Sequence, residues 1–296
     1  MSDTQKAGFI SIIGKPNAGK STLLNALIGM KFAITTEKAQ TTRHRILGIH
    51  MHEGAQLIFS DTPGIIKPHY KLQEKMMNQV RESVSDADIL LLVVDVKDSE
   101  IGPEVEEVLA KYPSEKKVLV LNKIDLSDQD EVTKLSESLS AKFEFGNIVA
   151  LSAEKKFNTN RLLDLLAKIC PEHPYYFPED QLTDRPERFF VGEMIREKIL
   201  KFYSQEIPYS VEVDIDEFKD QGKIIRISAI IYTERKSQKG ILIGEGGRGL
   251  KKVGTHARKD IEEFVGKKVF LQLFVKVREK WRENEDLLRK FGYGEK

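Results

Sequence analysis

The sequence predicts an α/β protein of two domains, and three observations support that prediction. The chain has 296 residues, more than a single hydrophobic core usually serves. Through residues 1–170, short apolar runs typical of buried strands alternate with amphipathic helical patterns, as in a mostly parallel sheet covered by helices on both faces. After residue 187 the order of elements changes, which predicts a smaller α+β domain over residues 188–282.

The first domain takes its predicted strands from short runs rich in branched apolar residues. These runs are GFISIIG, AQLIFSD, DILLLVVDV, KVLVLNK and NIVALS. The runs RILGIHMH and AQLIFS are separated only by EGA, so we expect a hairpin that adds one antiparallel strand. Helical patterns between the strands include STLLNALIG, QEKMMNQVRESV and NRLLDLLAKI.

A proline-rich stretch separates the two predicted domains. Four prolines fall at positions 171, 174, 178 and 186 without strand or helix periodicity, so residues 171–187 are predicted to be a linker. The patterns beyond it predict a helix, two strands, a glycine loop, a helix and a strand, beginning with RFFVGEMIREKILKFY and ending with KKVFLQLFVKVR. Residues 283–296 are predicted to form a C-terminal tail.

Positive and negative charges nearly balance over the whole chain, but they are unevenly distributed along it. The formal net charge is +1, yet residues 235–282 hold 14 Lys and Arg against 5 Asp and Glu. A strongly basic segment in a neutral protein indicates a polyanionic partner, the alternative being an ordinary solvated surface.

Several classes of protein are disfavoured by the composition. The single cysteine, Cys170, leaves no internal disulfide or cysteine metal cluster and suits a reducing cytoplasm. The first residues lack the apolar core of a signal peptide, and the longest apolar run, ILLLVVDV, is too short to span a bilayer, so a cytoplasmic protein is expected. The six histidines include no H-x-x-x-H pair, so no zinc site is predicted.

A phosphate-binding loop is predicted between the first strand and the first helix. GKPNAGKS fits the pattern G-x-x-x-x-G-K-[ST], in which glycines let backbone amides wrap around phosphates at a helix N-terminus. Lys20 is predicted to bridge the β- and γ-phosphates and Ser21 to ligate Mg²⁺. The residues predicted to bind the nucleotide here are Gly14, Lys15, Pro16, Asn17, Ala18, Gly19, Lys20, Ser21 and Thr22.

A second box, DTPG, follows the strand AQLIFS. Asp61 is predicted to hold Mg²⁺ through water, and the Gly64 N–H can meet a γ-phosphate. For an isolated D-x-x-G, a plain aspartate-initiated turn is the alternative.

Two further boxes predict that the base is guanine. In NKID, Asp125 can accept from guanine N1–H and the 2-amino group, whereas adenine offers no matching donors. Asn122 is predicted to brace this loop and Lys123 to cover the face of the base. The dipeptide Ser152–Ala153 follows the next strand and can supply the Ala153 N–H to guanine O6. The four boxes, in this order at strand ends, predict a site for GTP and GDP.

Switching and hydrolysis depend on residues beside these boxes. Thr41 and Thr42 both qualify as the threonine that ligates Mg²⁺ while a γ-phosphate is present. Ile65 follows Gly64, where GTPases of the Ras kind carry a glutamine that orients the attacking water. Isoleucine cannot hydrogen-bond water, so either hydrolysis is slow and needs a partner or another group positions the water.

The second glycine loop, LIGEGGRGLKK at residues 242–252, also spells G-x-G-x-x-G. A dinucleotide site requires a βαβ unit with an acid at the end of its second strand, but the following strand ends in Arg278 and no further alternation follows. The pattern I-G-x-x-G from Ile243 to Gly247 fits instead the prokaryotic KH module, which clamps a single-stranded backbone.

The residues predicted to bind RNA combine basic side chains for phosphates with apolar side chains that floor a groove for bases. They are Lys239, Ile241, Ile243, Gly244, Glu245, Gly246, Gly247, Arg248, Lys251 and Lys252. A purely structural turn is the alternative, and the basic charge of the segment disfavours it.

The chain as a whole resembles the Era family of GTPases, in which a GTPase domain precedes a KH domain. The markers, within residues 7–293, are GKPNAGKSTLLNALIG, KAQTTRHRILGI, DTPGI, NKID, YFPEDQLTD, QKGILIGEGGRGLKKVGTHARKDIE, LFVKVREKWR and FGYG. The resemblance implies Mg²⁺-dependent GTP hydrolysis, binding of single-stranded RNA near the 3′ end of small-subunit ribosomal RNA, and a role in maturation of that subunit. It also implies, for some members, a peripheral association with the inner face of the cell membrane.

The resemblance also bears on single residues. It favours Thr42 over Thr41 as the switching threonine. Related GTPases with an asparagine at the position of Asn17 use it to hold K⁺, so K⁺ is a second expected cofactor. The expected catalytic residues are Lys20, Thr42 and Gly64, and the expected metal ligands are Ser21, Thr42 and Asp61.

One residue departs from the family pattern. Members commonly carry a lysine where this chain has Glu245. A carboxylate beside RNA phosphate is repulsive, so Glu245 is expected to point outward or to be compensated by Arg248, Lys251 and Lys252.

Three functions remain open from the sequence. The first is a GTPase switch that presents its KH groove to ribosomal RNA, as a monomer. The second is an RNA chaperone with a structural nucleotide. This function remains possible because Ile65 cannot orient the attacking water. The third is a membrane-associated GTPase, suggested by Trp281 and the basic residues near it but opposed by the acidic residues Glu283, Glu285 and Asp286.

Overall fold

The computed structural model describes residues 5–36, 38, 40–98 and 100–294, which form two compact units. Unit 1 contains residues up to Ala33, Thr42–Pro68 and Met76–Asp184. Unit 2 contains Ile34–Thr41, His69–Lys75 and the chain from Arg185. The predicted α/β class, with a larger and a smaller sheet, is confirmed.

Unit 1 is built on a six-stranded sheet of order β2-β3-β1-β4-β5-β6, in which only β2 runs antiparallel to its neighbour. The predicted hairpin and parallel strands are therefore present. The central strands are buried on both faces, which is why they are nearly continuous apolar runs. The strands are β1 Lys6–Ile13, β2 Ile46–His52, β3 Ala55–Asp61, β4 Ile89–Asp95, β5 Lys117–Asn122 and β6 Asn147–Ala150.

Five helices belong to this part of the chain, α2 beginning in unit 2 and continuing into unit 1. They are α1 Lys20–Ile28, α2 Lys71–Ser85, α3 Pro103–Ala110, α4 Gln129–Lys142 and α5 Thr159–Ile169. The apolar stripe of α5 shows how they pack, because Leu162, Leu163 and Leu166 recur at helical spacing and join the core formed by the sheet.

The segment predicted as a linker packs as part of unit 1 as far as Asp184. It forms isolated bridges to β1 through Lys6 and Glu172 and to β2 through Gly48 and Thr183. The buried side chain of Gln56 accepts from the backbone N–H groups of residues 176 and 177 and donates to the carbonyl of Phe177 at 2.8 Å. The proline-rich composition does not reveal these bonds, which satisfy a backbone that has no regular partner.

Two short segments from the first half of the chain belong to unit 2 because of specific side-chain contacts. The carbonyl of Thr41 accepts from the buried guanidinium of Arg196. The Arg282 guanidinium lies 4.7 Å from the centre of the Tyr70 ring. Such long-range pairs follow no sequence spacing, so the predicted division into residues 1–170 and 188–282 does not anticipate them.

The core of unit 2 is a three-stranded sheet of order β7-β8-β9, with β8 and β9 parallel. Its apolar face is covered by α6 and α9. The strands are β7 Glu212–Asp220, β8 Ile224–Thr233 and β9 Lys268–Val277, and the helices are α6 Glu187–Phe202, α7 Ile207–Ser210, α8 Lys236–Ile243, α9 Arg248–Val265 and α10 Glu285–Lys290.

The prediction that residues 283–296 form a tail is corrected for residues 283–294, because these pack onto unit 2. The buried Trp281 indole, just before them, donates from Nε1 to the carbonyl of Ser210 at 2.9 Å. The Tyr293 hydroxyl donates to the Glu212 carboxylate at 2.8 Å, and Leu288 of α10 is buried. The sequence did not predict these contacts because most residues between Trp281 and Tyr293 are charged.

Trp281→Ala should destabilise unit 2 by about 3–5 kcal/mol, because a large buried aromatic ring leaves a cavity that the backbone cannot close. Urea unfolding followed by circular dichroism measures the change. Phe274→Ala, which truncates an aromatic ring that is 49% exposed in the same unit, is the matched control and should cost far less. Equal losses for the two variants would contradict the role given to Trp281.

Candidate functional site

The predicted phosphate loop joins β1 to α1 and leaves no room for side chains at its glycines. A Cβ on Gly14 would lie 2.3 Å from the carbonyl oxygen of Val93, and one on Gly19 would lie 2.2 Å from Asn122 Nδ2. Both glycines have positive φ, 147° and 94°. Gly19 caps α1 without a side chain of its own, so the first amides of that helix stay available for an anion.

Lys20 lies buried inside this loop. Its ammonium donates to the carbonyls of Gly14 at 3.1 Å and Lys15 at 2.8 Å. Burial lowers the pKa of Lys20 to about 8, and the negative charge of Asp61 offsets that effect only in part. A buried ammonium group is therefore kept in the phosphate loop, and its positive charge favours the binding of an anion there.

Ser21, Thr42 and Asp61 converge as the sequence predicted for a metal site. Asp61 Oδ2 accepts from Ser21 Oγ at 2.8 Å and from Thr42 Oγ1 at 3.3 Å, and the two hydroxyls are 2.8 Å apart. Asp61 Oδ1 is buried and has no hydrogen-bond partner among the described residues. Two hydroxyls and a carboxylate, one oxygen of which is buried without a partner, are a donor set that fits Mg²⁺.

The carboxyl group of Asp61 is strongly perturbed. Burial raises the pKa of Asp61 to about 6, although hydrogen bonds from Ser21 and Thr42 and the charge of Lys20 act in the opposite direction. Such a shift is typical of a functional carboxylate.

The structure shows which of the two candidate threonines lies at the predicted metal site. Thr41 Oγ1 donates to the carbonyl of Lys38 at 2.6 Å and lies in unit 2. Thr42, the residue favoured by resemblance, is the one whose hydroxyl reaches Ser21 and Asp61.

The DTPG box lies against the phosphate loop. Thr62 Oγ1 donates to the carbonyl of Ile12 at 2.8 Å, and the Ile65 N–H donates to the carbonyl of Gly14 at 3.2 Å. A Cβ on Gly64 would lie 2.8 Å from the backbone nitrogen of Pro16, so only glycine allows this approach. The Ile65 side chain is 8% exposed and offers no polar atom to a water molecule.

Asn122, at the end of β5, connects two loops of the site. Its Nδ2 donates to the carbonyl of Ala18 at 2.9 Å, and its Oδ1 accepts from the Ala153 N–H at 3.0 Å. These two hydrogen bonds are the bracing contacts that the sequence predicted for Asn122. The Ala153 N–H, predicted to face guanine O6, is already engaged by Asn122, which the sequence did not suggest.

Two other residues of the NKID box, Lys123 and Asp125, differ in their surroundings. Lys123 adopts a left-handed conformation with φ 66°, and its ammonium donates to the carbonyl of Asn17 at 2.9 Å and to Asp95 at 2.7 Å. It therefore extends across the phosphate loop. The Asp125 side chain is exposed. Ser152 is buried beside Ala153.

The second glycine loop connects two helices, α8 and α9, and not a strand to a helix. Gly244, Gly246 and Gly247 have positive φ of 71°, 58° and 79°. A Cβ on Gly249 would lie 2.6 Å from the Tyr203 hydroxyl oxygen, so this last glycine of the apparent dinucleotide pattern serves helix packing. The helix–loop–helix arrangement excludes the strand–turn–helix that a dinucleotide fingerprint needs. Helix α8 itself was not predicted from the sequence.

Glu245 points into solvent at the tip of this loop. Its carboxylate is 88% exposed and lies 3.7 Å from the Arg248 guanidinium. Both predicted alternatives, outward orientation and compensation, are therefore present together. Lys251 is exposed as well, and the ammonium of Lys252 lies 4.4 Å from the centre of the Phe202 ring.

The apolar residues predicted to floor the RNA groove are accessible. Ile241 of α8 is 54% exposed, and Ile243 is half-buried. Lys239, on the same helix, is half-buried. Accessible apolar and basic side chains therefore both lie near the glycine loop, the combination that binds single-stranded RNA.

A P-loop nucleotide site and a KH-type glycine loop in one chain define a GTPase that carries an RNA-binding domain. Family models agree, since residues 9–123 match the 50S ribosome-binding GTPase family and residues 206–282 match the KH domain.

Two solved structures extend the similarity over the whole chain. One is Era in complex with MgGDPNP and nucleotides 1506–1542 of 16S ribosomal RNA. The other is a single-residue variant of Aquifex aeolicus Era bound to GDP and AlF4⁻. Each is 37% identical, has a TM-score of 0.93, and covers 98% of this chain and 100% of its own. The chain belongs to the Era family of GTPases.

Family membership makes the chain a GTPase that works with Mg²⁺ and binds guanine nucleotides. Among the described residues, no helix combines the length and apolarity that a bilayer span requires.

The affinity for Mg²⁺ at saturating GDP should fall by about tenfold per pH unit below about pH 6. The reason is that the raised pKa of Asp61 leaves its carboxyl protonated there, and a protonated carboxyl does not hold a cation. Mg²⁺ titrations between pH 5 and pH 7.5 measure the slope.

Asp61→Asn is the control for this slope. The nucleotide's own phosphates titrate in both proteins, so the difference between the two slopes belongs to Asp61. Identical slopes would show that Asp61 does not titrate in this range.

Proposed function

We infer that this protein is a GTP-driven RNA-binding factor that engages the 3′ end of small-subunit ribosomal RNA and assists maturation of that subunit. The observation that supports this most directly is similarity over the full length to Era solved with nucleotides 1506–1542 of 16S ribosomal RNA. The chain's own residues supply both requirements, a guanine-nucleotide site in unit 1 and an accessible glycine loop in unit 2.

In this proposal the base end of the site selects guanine. Asp125 presents an exposed carboxylate to guanine N1–H and the 2-amino group, and Asn122 holds the neighbouring loops in register. An adenine nucleotide would leave that carboxylate facing no donor, which costs much of the binding free energy. Lys123 covers the base, and the Ala153 N–H reaches O6 if it shares its bond with Asn122.

The phosphate end of the site stabilises negative charge. On binding GTP, Lys20 exchanges its two carbonyl acceptors for phosphate oxygens, which favour the charged ammonium and raise its lowered pKa. Ser21, Thr42 and Asp61 would hold Mg²⁺. When bound, Mg²⁺ neutralises charge that develops on the β- and γ-phosphate oxygens.

Hydrolysis requires that the attacking water be placed without a glutamine. The Gly64 N–H is available to the γ-phosphate because this glycine approaches the phosphate loop closely. Ile65 excludes water from its own side and cannot orient it. Asn17, held in a left-handed conformation in the middle of the loop, is proposed to ligate K⁺, which would supply a second positive charge at the phosphates.

If K⁺ binds at Asn17, GTP turnover should be at least about tenfold faster in KCl than in NaCl at equal ionic strength, since each 1.4 kcal/mol of transition-state stabilisation is tenfold in rate. Phosphate release measures turnover, and Asn17→Ala should remove the difference between the salts. Equal rates in both salts would contradict a potassium site.

RNA is proposed to bind along the glycine loop. Gly246 and Gly247 have open space around them, so a phosphate can approach the backbone, and Arg248 and Lys251 supply positive charge. Ile241 and Ile243 face the bases. Glu245 weakens this attraction without abolishing it, since it is paired with Arg248 and exposed to water.

The double substitution of Gly246→Asp and Gly247→Asp should weaken binding of an oligonucleotide with the ribosomal 3′-end sequence by about tenfold or more. Aspartate tolerates positive φ, so the loop keeps its shape while two carboxylates repel the phosphates. Fluorescence anisotropy measures affinity, and the uncharged pair Gly246→Asn and Gly247→Asn is the matched control. Unchanged affinity in the aspartate variant would place RNA elsewhere.

The same titrations, made with GDP, with a non-hydrolysable GTP analogue and without nucleotide, distinguish a switch from a chaperone. A switch requires that nucleotide change RNA affinity and that RNA change nucleotide affinity by the same factor. RNA affinity that ignores the nucleotide would favour the chaperone.

The protein's location and assembly state remain part of the proposal. We propose a monomer located in the cytoplasm, a reducing compartment that the single, buried cysteine suits. A weak peripheral membrane contact is less favoured, because Trp281 is buried and unavailable to lipid.

A further inference from the structure

Three metal-ligating side chains meet where the β2–β3 hairpin turns. His52 ends β2, Glu53 lies in the turn, and Asp164 belongs to α5, which passes alongside. The His52 Nε2 and Asp164 Oδ1 atoms are 2.7 Å apart. One ligand atom from each of the three side chains lies within 4.8 Å of the other two.

The chemistry of this cluster suits a cation. Two carboxylates brought this close repel each other, and one imidazole compensates at most one of them. An imidazole nitrogen with two carboxylate oxygens is a donor set of first-row transition ions, whereas Mg²⁺ and Ca²⁺ prefer oxygen alone. Three protein ligands also leave coordination positions open for water.

The surroundings favour an accessible and pre-positioned site. The side chains of His52 and Asp164 are 21% and 59% exposed, so an ion can reach them from solvent. The ring of His50, on the same face of β2, stacks near that of His52 with centroids 6.0 Å apart and planes inclined by 22°. This contact restricts the orientation of the His52 ring, as a ligand requires.

The cluster lies away from the nucleotide site. It stands at the beginning of β3, and Asp61 stands at the end of the same strand, about 20 Å away along an extended chain. An ion bound here would therefore be distinct from the Mg²⁺ held by Ser21, Thr42 and Asp61.

We propose that His52, Glu53 and Asp164 form a second metal site of this protein, which takes Zn²⁺ or a similar first-row divalent ion. The sequence predicted no zinc site because no histidine pair has helical spacing. His52 and Glu53 are more than a hundred residues away from Asp164 in the chain, so only folding brings the three ligands together. A bound ion would tie the hairpin turn to α5.

Isothermal titration with Zn²⁺ tests the site in the full-length protein saturated with GDP and Mg²⁺. One Zn²⁺ per chain is expected. His52→Ala and Asp164→Asn should each weaken its affinity by about tenfold or more, since even removal of an outer-shell partner costs that much. His173→Ala, which removes an exposed histidine outside the cluster, should leave Zn²⁺ affinity unchanged.

Two further measurements show whether the variants remain folded and whether the ion binds at this cluster. His52→Ala and Asp164→Asn should retain the wild-type rate of GTP hydrolysis in Mg²⁺ without Zn²⁺. Titration of Co²⁺ followed by its visible absorption should give a signal in the wild type that both variants lose. Absence of Zn²⁺ binding in the wild type would overturn the proposal, and so would equal binding in the variants, which would assign the ion to another position.

Discussion

The nucleotide site depends on the absence of space around a few backbone atoms. Asn122 holds the phosphate loop through Ala18 and the neighbouring strand end through Ala153, with its amide pressed against Gly19. Any Cβ at Gly19 would displace that amide and break both hydrogen bonds. This contact also helps to fix Lys20, because Ala18, whose carbonyl Asn122 holds, lies only two residues before it.

Buried charge gives this site its affinity for phosphate and metal. Lys20 and Asp61 are both desolvated, and their pKa values move towards each other, to about 8 and about 6. At neutral pH both groups remain charged at a cost in free energy that their mutual attraction offsets only in part. A phosphate beside Lys20 and a cation beside Asp61 reduce that cost, which favours the binding of both.

The two glycine loops use the same backbone freedom in different ways, the first in the phosphate site and the second in the proposed RNA site. In the first, close packing against Val93 and Asn122 fixes the loop in one shape. In the second, Gly246 and Gly247 have open surroundings, so the backbone is exposed to a long, flexible polyanion. Glu245 is tolerated there because it lies in solvent, where water screens it and Arg248 pairs with it.

The sequence by itself determined which segments of the nucleotide domain are strands, the hairpin that adds an antiparallel strand, the four guanine-nucleotide boxes and the glycine clamp, since each depends on neighbours in the chain. Only the tertiary structure decided which threonine meets Asp61, where the Ala153 N–H is directed, and that Trp281 and Tyr293 anchor the C-terminal residues. It likewise assembled His52, Glu53 and Asp164. Local periodicity and spacing record short-range geometry, whereas these contacts join distant residues and arise only when the core brings their elements together.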